Sequence, residues 1–317
     1  MILAGDVGGT KTNLALCNAA GVPVREATFA AKDFDSLEAM VRGFVAGEKI
    51  TSACFGVAGP VEAGQAKITN LPWTIRAHTL AAELGGAPVA LLNDLQATAL
   101  GALAIPESSL STLQQGVVPD RATIAVIAPG TGLGEATLVH DGHDYQALPS
   151  EGGHADFAPT NEEQLELWRF LHAKYGGHVS VERVLSGNGI ADLYYFVAKG
   201  QTRVWPGDPN AAISEAGLAG SDASAVRALE LFAEILGAEA GNAALRAMAV
   251  GGVVIGGGIP PKLLAVLQRG ALLERFAAKG RFATWLRTLN VRVILDSKAA
   301  LLGAARHAAS LSRTTND

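Results

Sequence analysis

Residues 4–12 read Ala4-Gly5-Asp6-Val7-Gly8-Gly9-Thr10-Lys11-Thr12, and the fold turns on how this segment is understood. Ile2 to Asp6 is a short apolar run ending in a carboxylate, Gly8-Gly9 is a turn, and Thr12 to Cys17 alternates as a second strand. Adjacent glycines let backbone N–H groups converge on a phosphate with no Cβ in the way. Asp6, at the strand end, suits a Mg²⁺ ion held through water, because a hard cation takes oxygen ligands. The segment is not a Walker A loop, since Thr10 stands where a glycine must precede the lysine and a strand follows instead of a helix; GxGxxG spacing is absent too. Read alone, an ordinary hairpin with a glycine turn accounts for it equally well.

Working outward, Pro23 to Ala30 extends the meander, and Asp35 opens a helical pattern with Leu37, Met40, Val41 and Phe44 on one face. Ser52 to Ala58 and Val89 to Leu92 are short β-rich runs, so strands alternate with helices and predict a mixed sheet covered on both faces. After Ile105-Pro106 the opening pattern returns: Ala122 to His140 is again strand, glycine turn and strand, which reads as a duplication. Asn161 to Ala249 is mainly helical, with a long stretch from Ser221 to Met248. Val253 to Ile255 returns to strand, Gly256-Gly257-Gly258 then opens a helix at Pro260-Pro261, and Val291 to Leu295 is the last strand. Ser297 to Ser310 predicts a final amphipathic helix, with a polar tail from Thr314 expected to fray.

At 317 residues the chain suits about two domains of roughly 150 residues each. The 37 glycines lie in no collagen period or low-complexity tract, so they belong to turns and loops. Apolar residues make up 49% and charged ones 17%, which excludes a disordered or coiled-coil chain. A net charge of −5 with no Lys/Arg cluster argues against a nucleic-acid partner. Cys17 and Cys54 sit singly inside apolar runs and read as buried thiols of a reducing cytoplasm. Asp6 interrupts the first apolar stretch and no basic segment precedes it, so no signal peptide is expected. The apolar run Ala247 to Pro261 falls short of the roughly 18 residues of a membrane helix, so no membrane association is expected.

A second glycine turn, Gly130-Thr131-Gly132-Leu133-Gly134, has the same strand-turn-strand setting, and two such loops can clamp one triphosphate. The third, Gly256-Gly257-Gly258, leaves room for a base or ribose against the backbone. In Leu92-Asn93-Asp94 an apolar strand delivers an amide and a carboxylate to a helix start, either as an N-cap or as the base a kinase needs for a substrate hydroxyl. Ser150-Glu151-Gly152-Gly153-His154-Ala155-Asp156-Phe157 places a carboxylate and an imidazole on one glycine-flexed loop, suited to hydrogen-bonding a polyol, with zinc and a purely structural loop as competing readings. His140-Asp141-Gly142-His143-Asp144 imitates a metal cluster but reads better as a hairpin tip. Glu182, in Val181-Glu182-Arg183, is a weaker candidate, for which a helix-surface glutamate is the default reading.

Together with Phe55-Gly56-Val57-Ala58-Gly59-Pro60, Thr69-Asn70-Leu71-Pro72-Trp73 and Val181-Glu182-Arg183-Val184-Leu185-Ser186-Gly187, these strings resemble, in order and over nearly the whole chain, the bacterial glucokinase family of the actin and sugar-kinase superfamily. The resemblance implies a two-domain actin-like (ribonuclease H-like) α/β fold with duplicated mixed sheets and an inter-domain cleft. It divides the chain into a small domain of residues 1–104 plus 297–317 and a large domain of residues 105–296 with helical insertions. The implied activity is ATP-dependent phosphorylation of D-glucose at its 6-hydroxyl, the first step of glycolysis, in a cytoplasmic homodimer. Asp94 becomes the base, and Asn93, Glu151, His154 and Glu182 join it as sugar ligands. Gly5, Asp6, Val7, Gly8, Gly9 and Thr10 become the first phosphate loop, with Mg²⁺ at Asp6 through water. Gly130, Thr131 and Gly132 become the second loop, and Gly256, Gly257 and Gly258 the adenosine site. A kinase for another hexose or an N-acetylhexosamine, an ATPase switch, or a sugar-responsive regulator on the same fold are the alternatives.

Overall fold

The computed structural model describes residues 1–68, 71–201, 203–205 and 207–314. By its internal contacts the chain divides into two compact units, Met1–Ser109 with Tyr145–Pro149 and Asp296–Asp317, and Leu110–Asp144 with Ser150–Leu295.

In the first unit β1 (Ile2–Val7) runs antiparallel to β2 (Lys11–Cys17), and β2 antiparallel to β3 (Pro23–Ala30). Ser36 caps the helix α1 (Leu37–Val45), accepting from the N–H of Ala39 at 3.2 Å. The helix begins there and not at Asp35, and Leu37, Met40, Val41 and Phe44 are buried as their spacing demands. β4 (Ser52–Val57) lies parallel to β1. A small sheet of β5 (Val61–Glu62), β6 (Gln65–Lys67) and β7 (Thr74–Arg76) follows; strands this short carry no readable period. After α2 (Ala77–Glu83), β8 (Val89–Asn93) pairs parallel with β4 and runs straight into α3 (Asp94–Gly101). β1 and β4 are apolar on both faces because both are covered. Leu3, Leu14 and Phe55 pack on α1, whereas Ile2, Ala4, Ala15 and Cys54 pack beneath the last helix.

The second unit contains β9 (Leu110–Gln114), β10 (Ile124–Pro129) and β11 (Leu133–His140); β12 (Tyr145–Ser150) follows in the chain. The turn after β11 is closed by Asp141, whose Oδ1 accepts from the N–H groups of His143 and Asp144 at 2.8 and 2.9 Å, so the His140–Asp144 string is a hairpin tip. Helices α4 (Glu162–Tyr175), α5 (Gly187–Ala198), α6 (Pro209–Ala219) and α7 (Ala223–Ala247) precede β13 (Val253–Ile255), and α8 (Leu264–Leu267), α9 (Ala271–Ala277) and α10 (Ala283–Leu286) precede β14 (Val291–Ile294). β10 is antiparallel to β11 and parallel to β13, which is parallel to β14. The order β11-β10-β13-β14 repeats β2-β1-β4-β8, so the duplication read from the glycine turns is a duplication of topology. β9 adds an antiparallel edge beside β14. Helix α7 is the spine of this core, and α9 approaches it so closely that a Cβ on Gly237 would lie 2.0 Å from the carbonyl oxygen of Leu272.

The segment after the third glycine run also departs from expectation. No helix opens at Pro260-Pro261: neither proline has an N–H, so the first turn closes only when Lys262 and Leu263 donate to the Ile259 carbonyl, and the four-residue α8 follows.

The last helix, α11 (Ala299–Thr314), belongs to the first unit. It extends past Ser310 to Thr314, and residues 315–317 of the expected frayed tail lie outside the described residues. Gly101 and Gly303 make its contact with α3 possible, since a Cβ on either would lie 1.9 or 1.8 Å from a backbone carbonyl oxygen of the other helix segment. Both cysteines are buried free thiols, and burial pushes the Cys17 thiol up to about 11 and that of Cys54 higher still. Among the described residues no helix is long and apolar enough to cross a membrane.

Candidate active site

In the first unit the β1–β2 hairpin turn is closed by the Gly8 N–H donating to the Lys11 carbonyl at 3.0 Å. Asp6 is half-buried at the strand end, opposite Asn13 in the antiparallel register. Asn13 Nδ2 donates to Asp6 Oδ2 at 3.2 Å, and Thr28 Oγ1 donates to Asn13 Oδ1 at 2.9 Å, so two further strands hold the carboxylate in place. Burial pushes the Asp6 carboxyl above the usual carboxylate range, and the Asn13 amide and the Lys11 charge pull it back. Asn13 was not singled out from sequence, although the register of a hairpin with a Gly-Gly turn places it across from Asp6. Two members of the expected loop are packing residues. A Cβ on Gly5 would lie 2.4 Å from the Phe55 ring, and Val7 is buried in the core, which leaves Asp6 and the turn Gly8 to Thr10 to face a ligand.

Of the two roles open to the pair, the cap falls to Asn93. Asn93 is the N-cap of α3: its Oδ1 accepts from the Gln96 N–H at 2.6 Å while Gln96 Oε1 accepts from the Asn93 N–H at 3.1 Å, a reciprocal capping box. Its side-chain carbonyl is therefore spent on the helix, and the amide NH₂ is the group it can offer. Asp94 is the first helical residue, exposed at its surface but flanked by protein, with Oδ1 accepting from the Leu95 N–H at 2.9 Å. Desolvation raises its carboxyl above the usual range, and the nearby Asp6 charge adds to the rise. A carboxylate of heightened basicity at a helix N-terminus, within reach of the Asp6 charge, is equipped to take a proton.

In the second unit the turn Gly130 to Gly132 is cinched by the Gly130 N–H donating to the Gly132 carbonyl at 2.8 Å, and the Gly187 N–H at the start of α5 donates to the Gly130 carbonyl at 2.9 Å. Gly130, Thr131, Asn188, Asn210, Gly258 and Lys262 are among the residues lining a cavity of about 680 Å³, in the size range of small-molecule sites. The third glycine run is divided by function. Gly256 continues the sheet by donating to the Ile127 carbonyl at 2.8 Å, Gly257 at φ 86° has no room for a Cβ beside the Pro129 carbonyl oxygen, and Gly258 is open to the cavity. Asn210 and Lys262 give no signal in the sequence because they come from separate segments, and Asn188 lies in α5 and lines the cavity.

The strings around Glu151 and Glu182 converge on the first residues of β11. Phe157 N–H donates to the Val179 carbonyl at 2.8 Å and Val181 N–H to the Ala155 carbonyl at 3.0 Å, which draws the single turn Val181–Arg183 alongside the turn Gly152–His154. Glu182 is half-buried, not a helix-surface residue, and its Oε2 accepts from the Leu133 N–H at 2.9 Å. Gly153 packs on the Leu133 carbonyl, where a Cβ would approach to 2.1 Å. Glu151 and His154 are exposed, with His154 Nε2 3.9 Å from Glu151 Oε2. His178 Nε2 lies 3.0 Å from Asp156 Oδ1. Among the described residues no three His, Cys, Asp or Glu side chains gather as a metal-ion site. Thr69 and Asn70 lie outside the described residues.

Comparison with known proteins gives these features a common origin. A glucokinase from a Nostoc species is 40% identical, the match covering 98% of this chain and 99% of that one. The crystal structure of a glucokinase from an Antarctic psychrotroph superposes with a TM-score of 0.89 at 32% identity, covering 98% of both chains. The actin-like sugar-kinase fold extends to a ROK family glucokinase from Streptomyces griseus in complex with glucose and AMPPNP, with a TM-score of 0.64 at 22% identity. The Glucokinase family model matches residues 3–311, nearly the whole length over which the glycine turns, the Asn93-Asp94 pair and the Glu151–Phe157 string are distributed, and the chain belongs to the glucokinase family.

Proposed function

We propose that the protein transfers the γ-phosphoryl group of ATP to the 6-hydroxyl of D-glucose, giving glucose 6-phosphate and ADP as the first step of glycolysis. The observation that carries this reading is the position of Asp94, at the head of α3, its carboxyl raised by desolvation from the protein flanking it and by the Asp6 charge. Its carboxylate accepts the 6-hydroxyl proton as the sugar oxygen bonds to the γ-phosphorus and the bond from that phosphorus to the β–γ bridging oxygen breaks. Asn93, through its NH₂, and Glu151, His154 and Glu182 hydrogen-bond the other sugar hydroxyls and fix which oxygen faces the phosphorus. The turns at Gly8 to Thr10 and Gly130 to Gly132, each closed by the N–H of its first glycine, present their remaining backbone N–H groups to the phosphates, and Gly258 borders the nucleoside.

Asp6 fits Mg²⁺ as the family implies. It is an oxygen donor on a strand end, held by Asn13, and Mg²⁺ needs only one or two carboxylates, reached directly or through water, beside substrate phosphates. When bound, Mg²⁺ neutralises the developing charge on the phosphate oxygens. The reading includes a cytoplasmic homodimer divided at residues 1–104 plus 297–317 and 105–296.

The direct test is ADP release with and without glucose, with mannose, fructose and N-acetylglucosamine as competitors. Sugar-independent release at the same rate refutes the kinase reading, and a better substrate than glucose corrects the sugar. Sedimentation equilibrium decides the dimer.

A further inference from the structure

Behind the Glu151–His154 turn lies a buried charged cluster with no part in the reaction above. Glu135 on β11 and Glu239 on α7 are only 5% and 4% exposed. They share one guanidinium: Arg246 Nη1 is 3.4 Å from Glu135 Oε2 and Arg246 Nη2 is 2.6 Å from Glu239 Oε1. Asn242 Nδ2 donates to Glu239 Oε2 at 2.8 Å, and Lys279 Nζ, from the segment after α9, donates to Asn242 Oδ1 at 2.6 Å. Both Glu239 oxygens thus have donors, whereas Glu135 Oε1 is buried without one. A buried carboxylate oxygen with no donor is costly, and the cost vanishes if that oxygen carries a proton and donates it to Glu239. Burial, followed by the charge of Glu239, in fact pushes the Glu135 carboxyl up to about 7 against the pull of Arg246. The remaining oxygen, Oε2, presses on the sugar-side turn: a Cβ on Gly152 would lie 2.1 Å from it.

We propose that Glu135 is a positioning residue for the Glu151–His154 turn: as a neutral acid donating to Glu239 it lets Gly152 seat against it, and when the proton leaves to solvent the turn loosens and glucose binding weakens. This rests on the reading of Glu151 and His154 as sugar ligands. The charged groups facing Glu135 are Glu239 and Arg246 from α7, with Lys279 behind Glu239. β10 contributes Ile127 opposite Glu135 in register, and the turn contributes Ser150 and Gly152, all uncharged. With both carboxyls ionised, two buried negative charges face one guanidinium directly, so water is drawn to Glu135 at the place where Gly152 now sits.

The test compares wild type with Glu135→Gln, whose amide mimics the neutral acid. Carboxyl ¹³C NMR of the glutamate-labelled, sugar-free protein is expected to show one glutamate titrating near neutrality that disappears in the variant. Between about pH 6 and about pH 8 the KM for glucose is expected to rise roughly 3- to 10-fold in wild type and less than about 2-fold in the variant, with kcat changing similarly in both. Any His154 contribution is common to both curves. Amide exchange of residues 151–154, corrected for its intrinsic pH dependence, is expected to quicken over the same range in wild type alone. Should Glu135→Gln misfold, Glu239→Gln removes the charge that raises Glu135, and the break in KM is expected to move to lower pH. Identical KM and exchange profiles in wild type and variant, or no glutamate titrating near neutrality, overturn the proposal. A protein that does not phosphorylate glucose refutes the kinase reading through the ADP assay, while the NMR and exchange measurements still judge Glu135.

Discussion

Replacing Gly132 with alanine tests how the proposed second phosphate turn and the proposed sugar ligand Glu182 are joined. The added methyl carbon would lie 2.4 Å from Glu182 Oε2 and 3.1 Å from its Cδ. Non-bonded carbon and oxygen settle at about 3.5 Å, so the carboxylate must retreat by about 1 Å. Glu182 has a flexible stem, and the retreat itself costs little. Its consequence is that the 2.9 Å bond from the Leu133 N–H lengthens to about 3.9 Å and is lost. A hydrogen bond to a charged group contributes about 1.5–3 kcal/mol, which we reduce to about 1–2 kcal/mol because Glu182 is only half-buried. The variant should therefore unfold a few degrees lower and, with Glu182 displaced from the sugar, show a glucose KM raised about tenfold in a coupled glucose 6-phosphate assay. If Gly132 acts through Glu182, Gly132→Ala combined with Glu182→Ala should cost no more glucose affinity than Glu182→Ala alone. A glucose KM within about twofold of wild type in Gly132→Ala, or a double variant whose cost is the sum of the two singles, refutes the reasoning.

Asp94→Asn removes the proposed proton acceptor and is expected to lower kcat by about 10²-fold or more while the glucose Kd from calorimetry stays within a few-fold. Glu151→Ala and His154→Ala are each expected to raise the KM for glucose much more than that for ATP; equal effects on both substrates would remove them from the sugar site. Gly303→Ala forces a methyl to 1.8 Å from the Ala97 carbonyl oxygen and 2.6 Å from the Gly101 nitrogen, backbone that cannot swing aside. Overpacking of this kind is expected to cost about 3 kcal/mol in urea unfolding, and an unchanged midpoint would mean that α11 does not dock on α3 as described. Glu135 ionises near 4.5 when unfolded and near 7 when folded, so the native state holds the extra proton. Stability should fall as pH rises between those values, by about 3 kcal/mol at most, and the pH slope should be shallower in Glu135→Gln than in wild type.

Short-range features were legible in the sequence because their physics is local. The apolar run ending at Asp6, the Gly8-Gly9 turn and the alternating strand after it specify a hairpin without reference to anything distant, and the same pattern at Gly130 to Gly132 exposes the duplication. A helix cap at Asn93-Asp94 was legible too, while the assignment of that cap to Asn93, with Gln96 completing the box, came from the structure. Other assignments required the folded chain. Gly5 looks like part of a phosphate loop until the Phe55 ring is found where its Cβ would be. Glu182 looks like a surface residue until the pairing of residues 155–157 with 179–181 carries it to Leu133, 49 positions away in the chain. Glu135, Glu239 and Arg246 give no sequence signal as a group, because two lie on one face of a long helix and the third on a strand far earlier. A strand or helix is selected by neighbours a few residues apart, whereas a partner for a buried charge is selected by whichever segment the sheet topology brings against it.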